Sequence, residues 1–248
     1  MAFLNSQFYG RFVDHLGDIA VPFTLAHPAV TLPLRRWLWF PGLVAGSIAP
    51  DVGYYLPIGP DGELTHSLSG LPVDLLLGAM LLAVDRVARR PAMALIGRTS
   101  VASWPGIWRA SVAILVGVLT HLFWDSFTHT DGFAVRHWEV LRLAVIGPHR
   151  VYNVIGYLSS AAGMLILGWY AARWYRRTAP VSPAPQRNWV LTALLLAATA
   201  GALVARTDPV SDISLYDCVR HMLVGGIQSA GIAFALYAVA SALQSKTL

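Results

Sequence analysis

Trp108-Arg-Ala-Ser-Val-Ala-Ile-Leu-Val-Gly-Val-Leu-Thr-His121-Leu-Phe-Trp-Asp125-Ser-Phe-Thr-His129 carries two messages at once. Over about 108–127 it is apolar for the ~20 residues an α-helix needs to cross a bilayer. Its last nine residues then place His121, Asp125 and His129 at i, i+4 and i+8. Each step of four advances about 400° around a helix, so the three side chains share one face. An ionised Asp in a membrane segment costs about 2.5–3.5 kcal/mol even on a lenient insertion scale, so it is paired, hydrated or liganding. Neighbours in the series stand about 6 Å apart along the axis and reach one ion; the outer pair, about 12 Å apart, does not easily do so. That spacing calls either for two metals with Asp125 between them or for a helix that unwinds before His129. The residues alone leave open a metal site, a hydrogen-bonded interhelical polar cluster, and an ion or proton path.

The rest of the chain is built like this stretch. Of 248 residues, 56% are hydrophobic and 12% charged, against about a quarter charged in an average soluble domain. Apolar segments fall at about 37–57, 70–88, 108–127, 151–174, 189–206 and 219–243, which predicts an all-α, polytopic helical membrane bundle of about six transmembrane segments. The first contains Pro41, Pro50 and Asp51, so it is expected to be broken or re-entrant. Net charge is +5, but seventeen of the eighteen basic residues are Arg and they flank the apolar blocks. This indicates membrane anchoring and no nucleic acid. Thirteen of the eighteen lie in the N-terminal arm, the second and fourth connections and the tail, five on the other face. Both termini are therefore expected in the cytoplasm, with the connections after segments one, three and five facing outward. The domain reading is an N-terminal extension over 1–20 with an interfacial amphipathic helix, a membrane domain over 21–175, a Pro-rich linker over 176–188, and a helix pair over 189–248 packing on the same bundle. A single cysteine, Cys218, excludes an internal disulfide and a Cys-rich zinc module, so a metal site must use His and carboxylates.

Such residues gather at the outward ends. Asp51 is a second carboxylate in an apolar segment, His66 follows in the outward connection, and both lie on the side of the membrane where segment three ends. Together they give a His and Asp set suited to zinc, manganese or iron. His27-Pro28 joins them only if 28–38 and 43–50 form a short helical hairpin turning at Phe40-Pro41-Gly42. His149, Arg150 and Arg220 are candidates for a substrate phosphate or lipid headgroup, with interfacial anchoring as the plainer role. Asp74, eight residues past His66, is read as at most a neighbour of the ligands, and Asp85 with Arg86 and Arg89 as a surface ion pair. Trp37, Trp39, Trp108, Trp169, Trp174 and Trp189 read as interfacial belts.

Val21-Pro-Phe-Thr-Leu-Ala-His27-Pro28-Ala, Gly46-Ser-Ile-Ala-Pro-Asp51, His66-Ser67, the His121 to His129 stretch, and Tyr152 to Gly163 with Ser159-Ser160 together resemble the DUF4184 family of bacterial integral membrane proteins. The same His and Asp positions are similar to the ligand pattern of inner-membrane metal-dependent hydrolases. More distantly, the His-x-x-x-Asp element resembles that of zinc-dependent phospholipase C and the S1/P1 nucleases. The resemblance implies a helical protein of the bacterial cytoplasmic membrane with one or two divalent transition metals, zinc first among them, held by His27, Asp51, His66, His121, Asp125 and His129. Asp51 or Asp125 would act as general base on a lipid-like or amphipathic (phospho)ester. A downstream His-x-x-x-Glu is missing, since His137-Trp-Glu139 has a different spacing, and this argues against a trinuclear site. A cyclase or lyase acting on a hydrophobic intermediate and a cation- or proton-coupled transporter are the alternatives, the latter disfavoured by the absence of an internal repeat.

Overall fold

The computed structural model describes residues 24–56, 62–99, 103–147, 149–213 and 215–244. The expected amphipathic helix over 1–20 lies outside them. The described residues form an all-α protein with five helices long and apolar enough to cross a membrane. In chain order the elements used below are α1 (Pro28–Thr31), α2 (Phe40–Ile48), α3 (Leu71–Ile96), α4 (Ile107–Thr128), α5 (Val151–Arg177), α6 (Arg187–Arg206) and α7 (Leu215–Gln244). The last five coincide with the five later hydrophobic segments. Leu76, Leu165, Leu195, Val204 and Leu236 stand exposed on them, the arrangement expected where lipid is the solvent. The one strand pairing, Ala144–Ile146 with His149–Arg150, is a short antiparallel hairpin leading into α5, an element that hydropathy does not announce.

The first segment is broken, as its prolines require. Within it, α2 is followed by the 3-10 turn Ala49–Asp51 and the single turn Val52–Tyr55; ahead of it, Pro28 opens α1 and Leu32–Arg36 continues as a 3-10 helix. The expected hairpin is present, since α1 packs against α2, but it turns over Trp37 to Trp39 rather than at Phe40-Pro41-Gly42. Trp39 is extended at φ −67° and ψ 111°, and Pro41 falls within the first turn of α2. There its missing N–H would have had no partner anyway, so the proline starts the helix instead of turning the chain.

By its internal contacts the chain forms two compact units, and the division runs through α3 after Gly78. The first gathers the described residues of 1–50, 63–78 and 106–171; the second those of 51–62, 79–105 and 172–248. In the first, α2 lies directly against α4. A Cβ at Gly46 would overlap the Ile114 carbonyl oxygen, and one at Gly117 would overlap that of Leu43. Only hydrogens at both positions let the backbones approach this closely. Beyond α4, buried Ala134, Val135, Leu141 and Tyr152 form a small apolar core with Phe127.

In the second unit α6 and α7 form a hairpin whose backbones meet at Gly201 and Gly225. Asp208 caps the turn between them, its carboxylate accepting from Val210 N at 2.9 Å. The Pro-rich run is docked as well as extended. Val181 N donates to Gly97 O at 3.1 Å and Ala184 N to Ala94 O at 3.0 Å, while the Arg98 guanidinium lies 3.6 Å from the centre of the Tyr175 ring. Asp85 pairs with Arg89 on α3, as expected.

Candidate metal centre

The C-terminal end of α4 bears on both readings of the i, i+4, i+8 spacing. The helix stops at Thr128, and His129 is its cap residue with extended backbone at φ −98° and ψ 146°. Freed from the helical rise, the His129 ring swings back, so that its Nε2 lies 3.5 Å from Asp125 Oδ2. His121 Nε2, one turn earlier on α4, lies 2.9 Å from the same oxygen. The helix therefore ends before His129, as one of the two readings expects, and His121 and His129 each approach the same Asp125 oxygen.

Two further imidazoles arrive from other elements of the first unit. His27, the residue before α1, brings its Nε2 to 3.6 Å from Asp125 Oδ1 and stacks on His121 with ring centres 4.0 Å apart. Its position depends on the Trp37 to Trp39 hairpin, which returns α1 to α4. His66, just before the Ser67-capped turn that leads into α3, places Nε2 3.5 Å from Asp125 Oδ2 and 3.3 Å from His121 Nε2. Four Nε2 atoms thus surround one carboxylate, and His27, His121 and Asp125 are all buried.

These spacings resemble a coordination shell. With zinc–nitrogen and zinc–oxygen bonds near 2.0–2.2 Å, the donors around a tetrahedral ion stand about 3.3 Å apart. The observed separations run from 2.9 to 3.6 Å.

The proton inventory points the same way. His121 Nδ1 lies 2.9 Å from Ser47 O; a carbonyl only accepts, so this nitrogen carries the proton. Thr65 Oγ1 donates to Pro50 O at 2.9 Å and therefore accepts from His66 Nδ1 at 3.3 Å. Both neutral rings accordingly present an Nε2 lone pair inward, toward each other and toward a carboxylate. Lone pairs so arranged repel unless a cation stands among them. Protonating one ring would supply it as an ion pair with Asp125, whereas protonating both would set two imidazoliums with centres 5.2 Å apart, which repel. A backbone acceptor on Nδ1 with Nε2 turned inward is also how metal-bound histidines are oriented.

Asp74, given little weight from the sequence, lies beside this cluster. It is fully buried on α3, one turn before Gly78, which packs on Ile114 of α4. Neither of its carboxylate oxygens has a hydrogen bond among the described residues. The eight-residue spacing concealed this because His66 precedes the helix.

The remaining candidates are placed as follows. Asp51 is buried at the end of its 3-10 turn and begins the second unit; the carbonyl of Pro50, immediately before it, accepts from Thr65. His149 and Arg150 form the second strand of the hairpin. There His149 faces Tyr157 with ring centres 5.7 Å apart, and the Arg150 guanidinium donates to Arg142 O at 3.3 Å. Arg220 lies on α7 in the second unit. Sequence reasoning had no means of finding Ser47 or Pro50, because both act through backbone carbonyls.

Fold and site together define a polytopic helical membrane protein with a buried His and Asp cluster at one end of its fourth helix. The family described as a domain of unknown function, DUF4184, matches residues 21–239, and the chain belongs to it. No curated protein and no solved structure matches the chain.

Proposed function

We propose that the protein is a membrane-embedded metal-dependent hydrolase acting on a lipid-like or amphipathic ester, most plausibly a phosphoester. The observation that carries this reading is the convergence of four imidazole Nε2 atoms on the buried Asp125 carboxylate, with His66 and His121 oriented as metal ligands. A divalent transition metal, zinc by preference for this donor set, would be held by His27, His66, His121, His129 and Asp125, with Asp51 carried as a ligand on its sequence position. Bound there, the metal supplies an acidified water and a Lewis acid for the scissile oxygen. The chain's own groups do the rest. His66 and His129 are the more open side chains, 17% and 14% exposed against 0% for His121, so water and the reacting group enter on their side. A carboxylate not engaged in ligation, Asp51 or one oxygen of Asp125, takes the proton from the attacking water.

Charge balance gives Asp74 a part. Four neutral imidazoles, one carboxylate and a divalent ion leave one positive charge in a buried site, and buried charge must be compensated. Asp51 compensates it where it ligates; where it does not, the buried Asp74 carboxylate does. Asp74→Asn is therefore expected to weaken zinc binding by about 10-fold or more while leaving every ligand in place. Zinc titration of the variant beside wild type measures this; equal affinities would show that Asp74 does not balance the site.

The site is proposed to open away from the cytoplasm of a bacterial inner membrane, on the strength of the Arg and Lys distribution. In a Cys218→Ser background, Glu63→Cys and Val140→Cys should react with a membrane-impermeant maleimide added from outside. Labelling only from the cytoplasmic side would reverse the orientation and leave the cluster as it is.

The function itself is tested on the purified, zinc-loaded protein against a panel of lipid phosphoesters and carboxylic esters. Chelator-sensitive hydrolysis is expected. Bound metal without hydrolysis across the panel would favour the cyclase or lyase alternative; metal-free protein that drives cation-dependent transport in vesicles would favour a transporter.

A further inference from the structure

The connection between α4 and α5 carries more exposed apolar surface than a loop in water does. Phe133 and Ile146 are each 72% exposed, and Trp138, Leu143 and Val145 are more than half exposed. These side chains sit on or beside folded elements: the short helix Phe133–His137, the 3-10 turn Glu139–Arg142 and the strand Ala144–Ile146. Buried Ala134, Val135 and Leu141 anchor the connection to Phe127 and Tyr152 through the small apolar core. The exposed residues are therefore held outward by a fixed scaffold.

Two observations identify what covers this surface. The first is its place along the chain. The 22 residues of α4 rise about 33 Å, which matches the ~30 Å hydrocarbon core of a bilayer. A connection that leaves at Thr128 and enters α5 at Val151 accordingly lies at a membrane interface. The second is an aromatic row. Phe123, 63% exposed on α4, meets Phe127 edge-on with ring centres 5.1 Å apart, and Phe127 meets Trp138 in the same way at 5.6 Å. The row carries the lipid-exposed face of α4 onto the connection without a break.

Backbone and charge fix the depth. The hairpin has only two strands, so its edges are open, and unpaired N–H and C=O groups do not sit in hydrocarbon. Arg136 and Arg142 are exposed, and Glu139 and Arg142, three apart in the 3-10 turn, share one side of it. The segment belongs at the boundary of headgroups and acyl chains, where Trp concentrates and arginines meet lipid phosphates.

We propose that residues 133–146 form an interfacial membrane-docking element, with Phe133, Trp138, Leu143 and Ile146 seated among acyl chains and Glu139 and Arg142 facing headgroups and water. Its partner is the lipid of the leaflet at the His129 end of α4. The assignment is independent of a metal at the cluster and of the hydrolase reading.

Spin labelling in liposomes of phosphatidylcholine and phosphatidylglycerol tests it. In a Cys218→Ser background, a nitroxide is attached singly at Phe133→Cys, Leu143→Cys, Ile146→Cys and Glu139→Cys, all exposed positions whose replacement leaves the core intact. Power saturation is measured with oxygen, which concentrates among acyl chains, and with a water-soluble nickel chelate. Oxygen should be the stronger relaxant at positions 133, 143 and 146, and nickel at 139. Nickel dominating at all four positions would overturn the docking element. So would spin–spin broadening at 146 that disappears on dilution with unlabelled protein, because a second copy of the chain would then cover this face.

Discussion

Asp125→Asn protein is expected to insert and fold, and to have lost its transition metal. Every one of the four imidazoles approaches this one carboxylate, at 2.9 to 3.6 Å, and asparagine keeps the volume while removing the charge. Loss of a ligand's hydrogen-bonding partner alone costs about 10–100-fold in metal affinity, and removing the anionic ligand itself should exceed that. Metal content and ester hydrolysis should therefore collapse together, with the size-exclusion profile unchanged. His121→Ala should behave alike, because it removes a ligand anchored to Ser47 O. A proton or ion path predicts something else: neutralising its carboxylate would abolish coupling without stripping any metal.

The largest effect on folding is expected from Gly117→Leu. A side chain at this position meets the Leu43 carbonyl oxygen and stands 2.9 Å from Ser47 N, and backbone atoms held in a helix cannot yield as a flexible side chain does. Overpacking costs about 1–3 kcal/mol where side chains can adjust, and more where they cannot. To fit leucine, α2 must move off α4, and with it goes the Ser47 carbonyl that fixes His121. Detergent-solubilised Gly117→Leu should therefore aggregate or melt well below wild type. Gly168→Ala is the matched control. A Cβ there meets nothing within 4 Å, and the change should stabilise by up to about 1 kcal/mol through helix propensity. Similar melting temperatures for the two variants would refute the close approach of α2 and α4.

How much of this the sequence discloses depends on what each feature is made of. Hydrophobic length located the last five helices because a bilayer imposes it. It located their ends less well, since hydropathy reports where lipid stops and not where a helix does. The stretch at about 70–88 becomes a helix running to Ile96 and carrying Arg86, Arg89, Arg90 and Pro91 beyond the apolar part. His121 and Asp125 are legible as a pair because one helical face carries them, and His129 joins them because the helix ends before it. His27 is legible only through the expected hairpin, which is present with its corner at Trp37 to Trp39, since Pro41 starts the helix instead of turning the chain. Counting residues from His66 along an ideal helix does not place Asp74, because a capped turn lies between them. The carbonyls of Ser47 and Pro50 leave no trace in side-chain chemistry, yet they set the tautomers that turn two imidazoles inward.

The central claim is that this cluster holds a metal. X-ray absorption combined with metal quantification on wild-type protein, purified without chelator and then titrated with zinc, tests it most directly. The account predicts a stoichiometric transition ion with a shell of nitrogen and oxygen donors near 2.0–2.2 Å and the multiple-scattering signature of several imidazoles, absent from Asp125→Asn. Folded protein that neither carries nor takes up a transition metal, or that binds one equally well without Asp125, would contradict it.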